Sequence, residues 1–307
     1  MDVALATALA SSMVTMAVPL LLAALGELIA ERAGVINIGL EGLILVGAFV
    51  ALVTTVQSGS TALGIAAALA SGGLLGGGLA IFVAWRNANQ VVAGTALNLL
   101  AVGLTGVAYR AIFGVSGTAL TIRGSAAAPI PLLSRLPVVG SSFFSQTPLA
   151  YAAFVLVPCI ALALSRTVPG LKLRMVGENP HAAETQGVAV ERTRTLALIV
   201  CGVLAAAGGA YLAVAYAKTF IEGMSAGRGF IALAIVIVGR RSAWGICLAA
   251  LFFGLATALQ FHFQALGLAV PFQFFLILPY VLTLLVLAAN AGRSQAPAAL
   301  GQPYERG

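Results

Sequence analysis

Long apolar runs separated by short polar segments make up most of this chain. A membrane-spanning helix needs about 20 mostly apolar residues, and the candidate runs are 5–25, 40–57, 62–84, 88–110, 148–165, 195–217, 229–239, 243–263 and 271–290. The run at 229–239 is too short to cross a bilayer, which predicts a half-helix or re-entrant element enclosed by protein or water. The pattern predicts an all-α, polytopic integral membrane helical bundle with about 8–10 transmembrane segments, including short or broken helices.

The composition supports this class. Of the 307 residues, 61% are hydrophobic and only 8% are charged, whereas soluble domains carry roughly 25% charged residues. The alternating segments of about 10 residues that typify membrane-spanning β-strands do not occur in the sequence. The net charge of +7 is spread over the loops, so we interpret it as a topology signal and predict no nucleic-acid partner.

The distribution of Lys and Arg predicts the orientation in the bilayer. If the loop 166–194 is cytoplasmic, 11 of the 16 Lys and Arg residues lie inside and 5 lie outside, as the positive-inside rule favours. The inside set is Arg32, Arg86, Arg166, Lys172, Arg174, Arg192, Arg194, Arg240, Arg241, Arg293 and Arg306. The chain is then one transmembrane domain, 1–290, with a cytoplasmic loop at 166–194 and a disordered cytoplasmic tail at 291–307.

Residues suited to catalysis are scarce. The chain has two histidines, His181 and His262, and no HExxH, GxSxG or phosphate-binding GxxxxGK[ST] motif. Cys159, Cys201 and Cys247 each lie within an apolar run, without the CxxC spacing of a metal site. We therefore predict no catalytic residue, no metal and no cofactor. If ATP drives this protein, another chain must bind it.

Polar residues inside membrane segments are candidate functional groups, because ionisable groups are costly there. The segment 26–42, GELIAERAGVINIGLEG, is predicted to be irregular. Asn37 and Glu41 either line a translocation pathway or pair within the protein, and the sequence leaves both interpretations open. The other charged residues of the segment are interpreted as structural, with Glu31 and Arg32 at the cytoplasmic interface and no pathway role for Glu27.

Two further sites are candidates for the pathway. Asn98 is a single amide in a long apolar run, which favours an interhelical hydrogen bond over a pathway role. Gly227 and Gly229 permit a tight backbone just before the half-helix. The positive end of that half-helix could face a polar group of a substrate or the carboxylate of Glu222.

The loop 166–194 contains a short predicted helix. Asn179 is a good N-cap and Pro180 suits the first helical position. The helix is expected over about 180–186, with Gly187 ending it. Ala182 and Ala183 would give it a smooth face for a partner's groove, and an ordinary amphipathic interface helix is the alternative.

Three motifs resemble a known family. HAAETQG at 181–187 resembles the coupling loop of permease subunits of binding-protein-dependent ABC importers, with His181 where glutamate is usual. ERAGVINIGLEGLILVGAFVA at 31–51 and GRGFIALAIVIVGR at 227–240 are similar to the simple-sugar, nucleoside and branched-chain amino acid permease group. The early motif most resembles the smaller permease of the nucleoside or simple-sugar branch. Together the matches extend over about 26–290.

The resemblance implies an assembly and two kinds of site. Such a permease pairs with a second permease, here expected as a heterodimer with a homodimer as the alternative. It also pairs with two ATPase subunits and with an extracytoplasmic substrate-binding protein, in the plasma (inner) membrane of a prokaryote. It would form the pathway for a nucleoside or simple sugar. The residues expected at the ATPase contact are Gly177, Asn179, Pro180, His181, Ala182, Ala183 and Gly187. Those expected along the pathway are Asn37, Glu41, Asn98, Gly227 and Gly229.

Other classes of function fit the sequence less well. An ion-coupled secondary transporter of a small polar solute is the main alternative, but it predicts buried carboxylates or duplicated broken helices, and Asp is nearly absent from the spans. A membrane-embedded enzyme is disfavoured by the lack of catalytic groups. Nucleoside, sugar and amino acid all remain open as the substrate.

Overall fold

The computed structural model describes residues 3–114, 122, 124–131, 134, 139–265, 277, 281, 284, 288 and 296–304. Its helices are α1 (Val3–Arg32), α2 (Leu40–Ser58), α3 (Thr61–Ala80), α4 (Gln90–Phe113), α5 (Val139–Phe143), α6 (Pro148–Arg166), α7 (Val168–Glu178), α8 (Pro180–Thr185), α9 (Val190–Ala210), α10 (Arg228–Val238) and α11 (Ala243–Ala265). Two of them continue as π-helix: α3 through Ile81–Trp85 and α9 through Tyr211–Tyr216.

The predicted membrane bundle is confirmed. Within the described ranges, seven helices are long and apolar enough to cross a membrane, and they coincide with the predicted runs from 5–25 to 243–263. Helix α10 has 11 residues and is the predicted half-helix. Most of the predicted span at 271–290 lies outside the described residues. Hydrophobic run length located these helices because each must match the thickness of the bilayer.

Helices α1 and α9 form the centre of the bundle. In the apolar 18-residue stretch that defines each of these spans, 83% of the residues are buried, against 28% for α3 and α4 and 22% for α6. The outer helices therefore present apolar surface outward, as expected where lipid or another membrane subunit replaces water. The central position of α1 places its last turn, and the chain that follows it, inside the protein.

Small residues allow α9 to approach its neighbours closely. Gly72 of α3 and Gly202 of α9 face each other, and a Cβ on either would clash with the carbonyl of the other. Gly209 of α9 lies equally close to the carbonyl of Ile44 on α2. Because these contacts join helices of one chain, the small residues serve packing inside the subunit.

Loops predicted on one side of the membrane meet at one end of the bundle. There, Arg32 Nη2 donates to the carbonyl of Arg241, 2.6 Å away, and Gly177 packs against the carbonyl of Arg32. We call this the Arg32 end. At the opposite end Arg110, one of the five residues predicted outside, forms an ion pair of 3.0 Å with Glu222. That the Arg32 end faces the cytoplasm stays a prediction.

Helix α1 is longer than predicted. It runs to Arg32, so the first part of the predicted irregular segment is helical and only 33–39 lies outside α1 and α2. The helix ends in a Schellman-type turn, in which Val35 N donates to Ala30 O at 3.0 Å and Gly34 has φ +82°. A residue without a Cβ adopts this conformation at little cost, so Gly34 ends the helix.

The predicted disorder of the tail 291–307 is wrong for residues 296–304. Ala299 and Tyr304 are only 5% and 3% exposed, and the backbone of this segment is hydrogen-bonded to α7 and to the turn at Gly34. The polar composition suggested a free tail. The segment is instead held because its backbone groups and its tyrosine find partners on the folded bundle.

Candidate functional site

The irregular chain between α1 and α2 is held by side chains from elsewhere in the bundle. Asn37 N donates to Glu27 Oε1 at 2.9 Å, and Ile36 N donates to Gln90 Oε1 at 2.8 Å. Asn37 Oδ1 in turn accepts from Gly39 N at 3.0 Å. Buried backbone groups must be paired, and since residues 33–39 lie outside both helices, these side chains supply the partners.

Asn98 joins α4 to the start of α2. Its Oδ1 accepts from Gly42 N at 2.8 Å, and its Nδ2 donates to Ile38 O at 2.9 Å. Gly94, one turn earlier on α4, lets the two backbones come together, because a Cβ there would lie 2.7 Å from Gly39 N. The amide of Asn98 therefore makes an interhelical bond, directed at backbone.

Glu41 caps the half-helix α10. Its Oε1 accepts from Gly227 N and its Oε2 from Gly229 N, both at 2.7 Å. Gly227 has φ +80°, and a Cβ on Gly229 would clash with the backbone of Glu41. A carboxylate at a helix N-terminus is stabilised by the free N–H groups and by the helix dipole.

Of the two partners considered for this helix end, a polar group of a substrate and Glu222, the second is wrong. Glu222 was considered for the N-terminus of α10, but it pairs with Arg110 at the surface instead. Glu41 reaches α10 from a helix 186 residues away in sequence. It also lies in the first turn of α2, so the amino ends of two helices converge near one carboxylate.

The structure thus brings all the predicted pathway residues together. We call the group the junction cluster; it consists of Asn37, Glu41, Asn98, Gly227 and Gly229. It lies where the irregular chain, the start of α2, the middle of α4 and the start of α10 meet. Its side chains bond protein backbone and so fix the relative positions of these elements. A direct role along the pathway stays a prediction.

Sequence reasoning missed one buried partner of this cluster. Asn37 Nδ2 donates to Cys201 Sγ at 3.3 Å, and the thiol contacts Glu27 Oε2 at 3.6 Å. All three side chains are fully buried. Cys201 lies within an apolar run of the sequence, and no local signal points to its polar partners on α1 and the irregular chain.

A buried ion pair at the Arg32 end was also not predicted. Arg241 Nε lies 2.5 Å from Glu31 Oε2, with side-chain exposures of 7% and 4%. Arg240 and Arg241 follow α10 with φ values of +55° and +51°. Arg241 belongs to the set predicted on the cytoplasmic side, and the tight turn directs its side chain toward the last turn of α1. The half-helix is therefore fixed at both ends, by Glu41 and by Glu31.

The predicted helix in the loop 166–194 is present as α8. Asn179 Oδ1 accepts from Ala182 N at 3.0 Å, and Pro180 takes the first helical position. Gly187 follows the helix with φ +78°, and Val188 N closes the turn on Ala183 O at 3.0 Å. These caps are local, which is why the sequence located the helix.

The loop contains a second helix, α7, that was not predicted. Thr167 is its N-cap, and its Oγ1 accepts from Gly170 N at 3.3 Å. Pro169 lies in its first turn. The signal was available, since Thr followed by a proline is a helix-start pattern. Gly170 also allows α7 to pack closely against the carbonyl of Ala163 on α6.

The predicted ATPase-contact residues divide between two faces of α8. Asn179, His181, Ala182 and Gly187 are exposed. The others are buried in the subunit: Gly177, Pro180 and Ala183. The expectation of a smooth face made by both central alanines is therefore wrong. Successive residues of an α-helix point about 100° apart, so Ala182 and Ala183 do not share one face.

Two of the buried residues explain how this element is attached. Gly177 faces the end of α1, where a Cβ would clash with the carbonyl of Arg32 and lie 3.2 Å from Pro297 Cβ. Ala183 packs with Val176 and Val188 in a small apolar cluster. Gly177 therefore fixes the end of α7 to the end of α1, and Ala183 holds α8 against α7, while the opposite face of α8 is open. Among the described residues, no group of three His, Cys, Asp or Glu could hold a metal ion.

Comparison with known proteins decides the class. Residues 9–287 match the family described as the permease component of branched-chain amino acid transport systems. The chain belongs to this permease family. The permease is 37% identical to the putative glucose ABC transporter permease protein TsgC13 of Haloferax volcanii, over 98% of both chains. The resemblance drawn from the motifs at 31–51 and 227–240 is confirmed.

Two relatives come from Bacillus subtilis. The permease is 37% identical to the guanosine ABC transporter permease protein NupQ, over 95% of the permease and 94% of the relative. It is 27% identical to the guanosine ABC transporter permease protein NupP, over 77% of the permease and 69% of that relative. No solved structure matches the permease. The permease is thus an ABC transporter subunit embedded in a membrane by several helices.

Proposed function

We propose that the permease imports a nucleoside or a simple sugar across the plasma membrane of a prokaryote. Its relatives are named for glucose and for guanosine, at the same 37% identity and over nearly the whole chain. Both solutes are polar and contain a sugar ring with hydroxyl groups. The substrate class is therefore proposed as one that shares a sugar ring.

The proposed assembly contains a second, different permease, two ATPase subunits and an extracytoplasmic binding protein. The presence of both NupQ and NupP, named for guanosine, in one organism supports a heterodimer of unequal permeases. The permease would supply one half of a pathway that opens alternately to the two sides of the membrane. ATP and substrate must favour different states for this cycle to run in one direction.

The observation that carries the coupling proposal is the geometry of α8. It is a capped helix at the Arg32 end, and its face formed by Asn179, His181 and Ala182 is exposed. We place this face in a cleft of the ATPase, so that closure of the ATPase pair displaces α8. The junction cluster is the proposed target of that displacement, because it joins the broken elements of the membrane domain.

The substrate proposal is tested by uptake competition. The permease is expressed with its second permease, ATPase and binding protein, and the complex is reconstituted in proteoliposomes. We expect unlabelled nucleosides or unlabelled simple sugars, but not both classes equally, to suppress ATP-dependent uptake. Branched-chain amino acids are expected to have no effect. Suppression by amino acids alone would contradict the proposal, as would uptake that persists without ATP and follows an ion gradient.

Replacing Gly187 with glutamate tests the coupling role of α8. Glutamate at φ +78° is strained by about 1 kcal/mol or more, and its charge is unfavourable at a helix C-terminus. No other part of the chain lies within 4 Å of a Cβ at this position, so the fold should persist. We expect uptake per ATP hydrolysed to fall about five- to tenfold, with normal membrane abundance.

The control for this prediction is Gly187→Asn, because asparagine tolerates the left-handed backbone region. It should retain at least half of the wild-type ratio of uptake to ATP hydrolysis. If Gly187→Glu keeps the wild-type ratio, α8 is not the coupling element. Copurification of the ATPase is measured on the same samples, so that loss of assembly is separated from loss of coupling.

A further inference from the structure

The C-terminal segment 297–304, which we call the C-terminal strap, lies across the Arg32 end. Ala299 N donates to Gly177 O at 2.9 Å, and Gly301 N donates to Gly34 O at 3.0 Å. The strap is thus hydrogen-bonded through Ala299 to the last turn of α7 and through Gly301 to the turn after α1. A Cβ on Gly34 would lie 3.2 Å from the carbonyl of Ala299, so the approach depends on glycine.

The strap ends at Tyr304, which packs on the coupling helix. Its ring joins Ala183, Val188 and Val190 in the small apolar cluster, and it lies 5.2 Å from the His181 ring, between centroids. The Tyr304 hydroxyl is hydrogen-bonded to a carboxylate oxygen of Glu184 on α8. The tyrosine therefore contacts the helix through both its ring and its hydroxyl.

A buried arginine holds the strap from the opposite side. Arg194, near the start of α9, is 1% exposed and donates from Nη1 to Gln302 O at 3.2 Å. Its guanidinium carbon lies 6.0 Å from the centre of the Tyr304 ring, within reach of a cation–π attraction. Chain ends usually fray unless they are tied down, and here the tie is made by a central helix of the bundle.

We propose that the C-terminal strap links the coupling helix α8 to the turn at Gly34 and so passes displacement of α8 to the junction cluster. This inference rests on the coupling role proposed above for α8. Gly34 lies three residues before Asn37, the first member of the cluster. The strap contacts α8 at Tyr304 and the turn at Gly301, so a shift of one contact moves the other.

The strap adds to the connections that α8 already makes through its neighbours α7 and α9. Helix α8 has six residues, and the preceding helix α7 reaches the end of α1 at Gly177. The strap adds hydrogen bonds and a ring packed in an apolar cluster to that contact. Coupling between distant sites requires contiguous packed groups that move between defined arrangements. Tyr304 is thereby assigned as a positioning residue for ATP-driven transport.

The test compares two Tyr304 variants in the full reconstituted complex. Tyr304→Ala removes the ring and the hydroxyl, and Tyr304→Phe removes only the hydroxyl bond to Glu184. We expect ATPase copurification and ATP hydrolysis to stay within about twofold of wild type. Uptake per ATP hydrolysed should fall about fivefold for Tyr304→Ala and about twofold for Tyr304→Phe. A residue needed only for folding would instead lower abundance and all activities together.

Tyr216 provides matched controls, because it lies at the opposite end of the bundle and is 39% exposed. Tyr216→Ala and Tyr216→Phe should keep the wild-type ratio of uptake to ATP hydrolysis. Unchanged ratios in both Tyr304 variants would overturn the proposal, and so would parallel loss of ATPase copurification. If Tyr304→Ala does not accumulate, the ratio measured for Tyr304→Phe decides.

The Gly187→Glu variant, measured in the same assay, separates this inference from the proposed function. If Gly187→Glu lowers the ratio while both Tyr304 variants keep it, only the role of the strap is refuted. If Gly187→Glu keeps the ratio, the coupling role of α8 is refuted and the strap has no displacement to transmit. A lower ratio in both sets supports the strap as part of the same path.

Discussion

Replacing Glu41 with alanine is expected to reduce uptake at least about 100-fold. The carboxylate accepts from Gly227 N and Gly229 N at 2.7 Å each, and hydrogen bonds to a charged group contribute about 1.5–3 kcal/mol each. Their loss amounts to roughly 3–6 kcal/mol and leaves N–H groups of α10 without a partner. Since each 1.4 kcal/mol changes an equilibrium constant tenfold, the half-helix would leave its working position in most molecules.

The control for Glu41 is the other carboxylate of this region, Glu222. Its ion pair with Arg110 has side-chain exposures near half, 49% and 47%, and such surface pairs contribute about 0–1 kcal/mol. Glu222→Ala should therefore change uptake by less than about fivefold. Uptake is measured at equal membrane abundance. Near-normal uptake by Glu41→Ala, or equal losses in both variants, would contradict the capping role.

The second large effect is expected at the buried ion pair of Arg241 and Glu31. Removing one partner of a buried pair leaves an uncompensated charge and costs about 3–5 kcal/mol. Arg241→Met should therefore lower the thermal unfolding midpoint in detergent by roughly 6–20 °C, taking about 2–4 °C per kcal/mol for larger domains. The measurement is a thermal unfolding scan of the purified subunit complex.

A double variant distinguishes the charge from the shape of the side chain. Glu31→Leu combined with Arg241→Met removes both charges, and replacing a buried pair by apolar residues is often neutral or stabilising. The double variant should recover most of the midpoint lost by Arg241→Met. Arg240→Met is the matched control, because Arg240 has a similar positive φ and is exposed. It should shift the midpoint by less than about 2 °C.

The elements that the sequence predicted well depend on short stretches of chain. The apolar runs located the spanning helices because their length must match the bilayer. Asn179, Pro180 and Gly187 located α8 because each acts on backbone groups within a few residues. The motifs at 31–51 and 227–240 indicated the family for a similar reason, since each is read from consecutive residues.

The contacts that were missed join distant parts of the chain. Glu41 bonds Gly227 across 186 residues, and Arg241 meets Glu31 across 210. The sequence marked both carboxylates as costly in a membrane without indicating their partners. The position of the tail was missed for the same reason: Tyr304 finds its apolar contacts on α8 and α9, and its own neighbours in sequence are polar.

The sequence by itself determined the membrane class, the positions of the helices, the capped element at α8 and the permease family. These follow from hydrophobic length and from caps, which act through the nearest few residues. Only the tertiary structure decided that Glu41 holds α10, that Ala183 faces inward and that the strap lies on α8. Each of these depends on how α1, α2 and α9 pack, and that packing sets which distant polar groups must satisfy one another away from water.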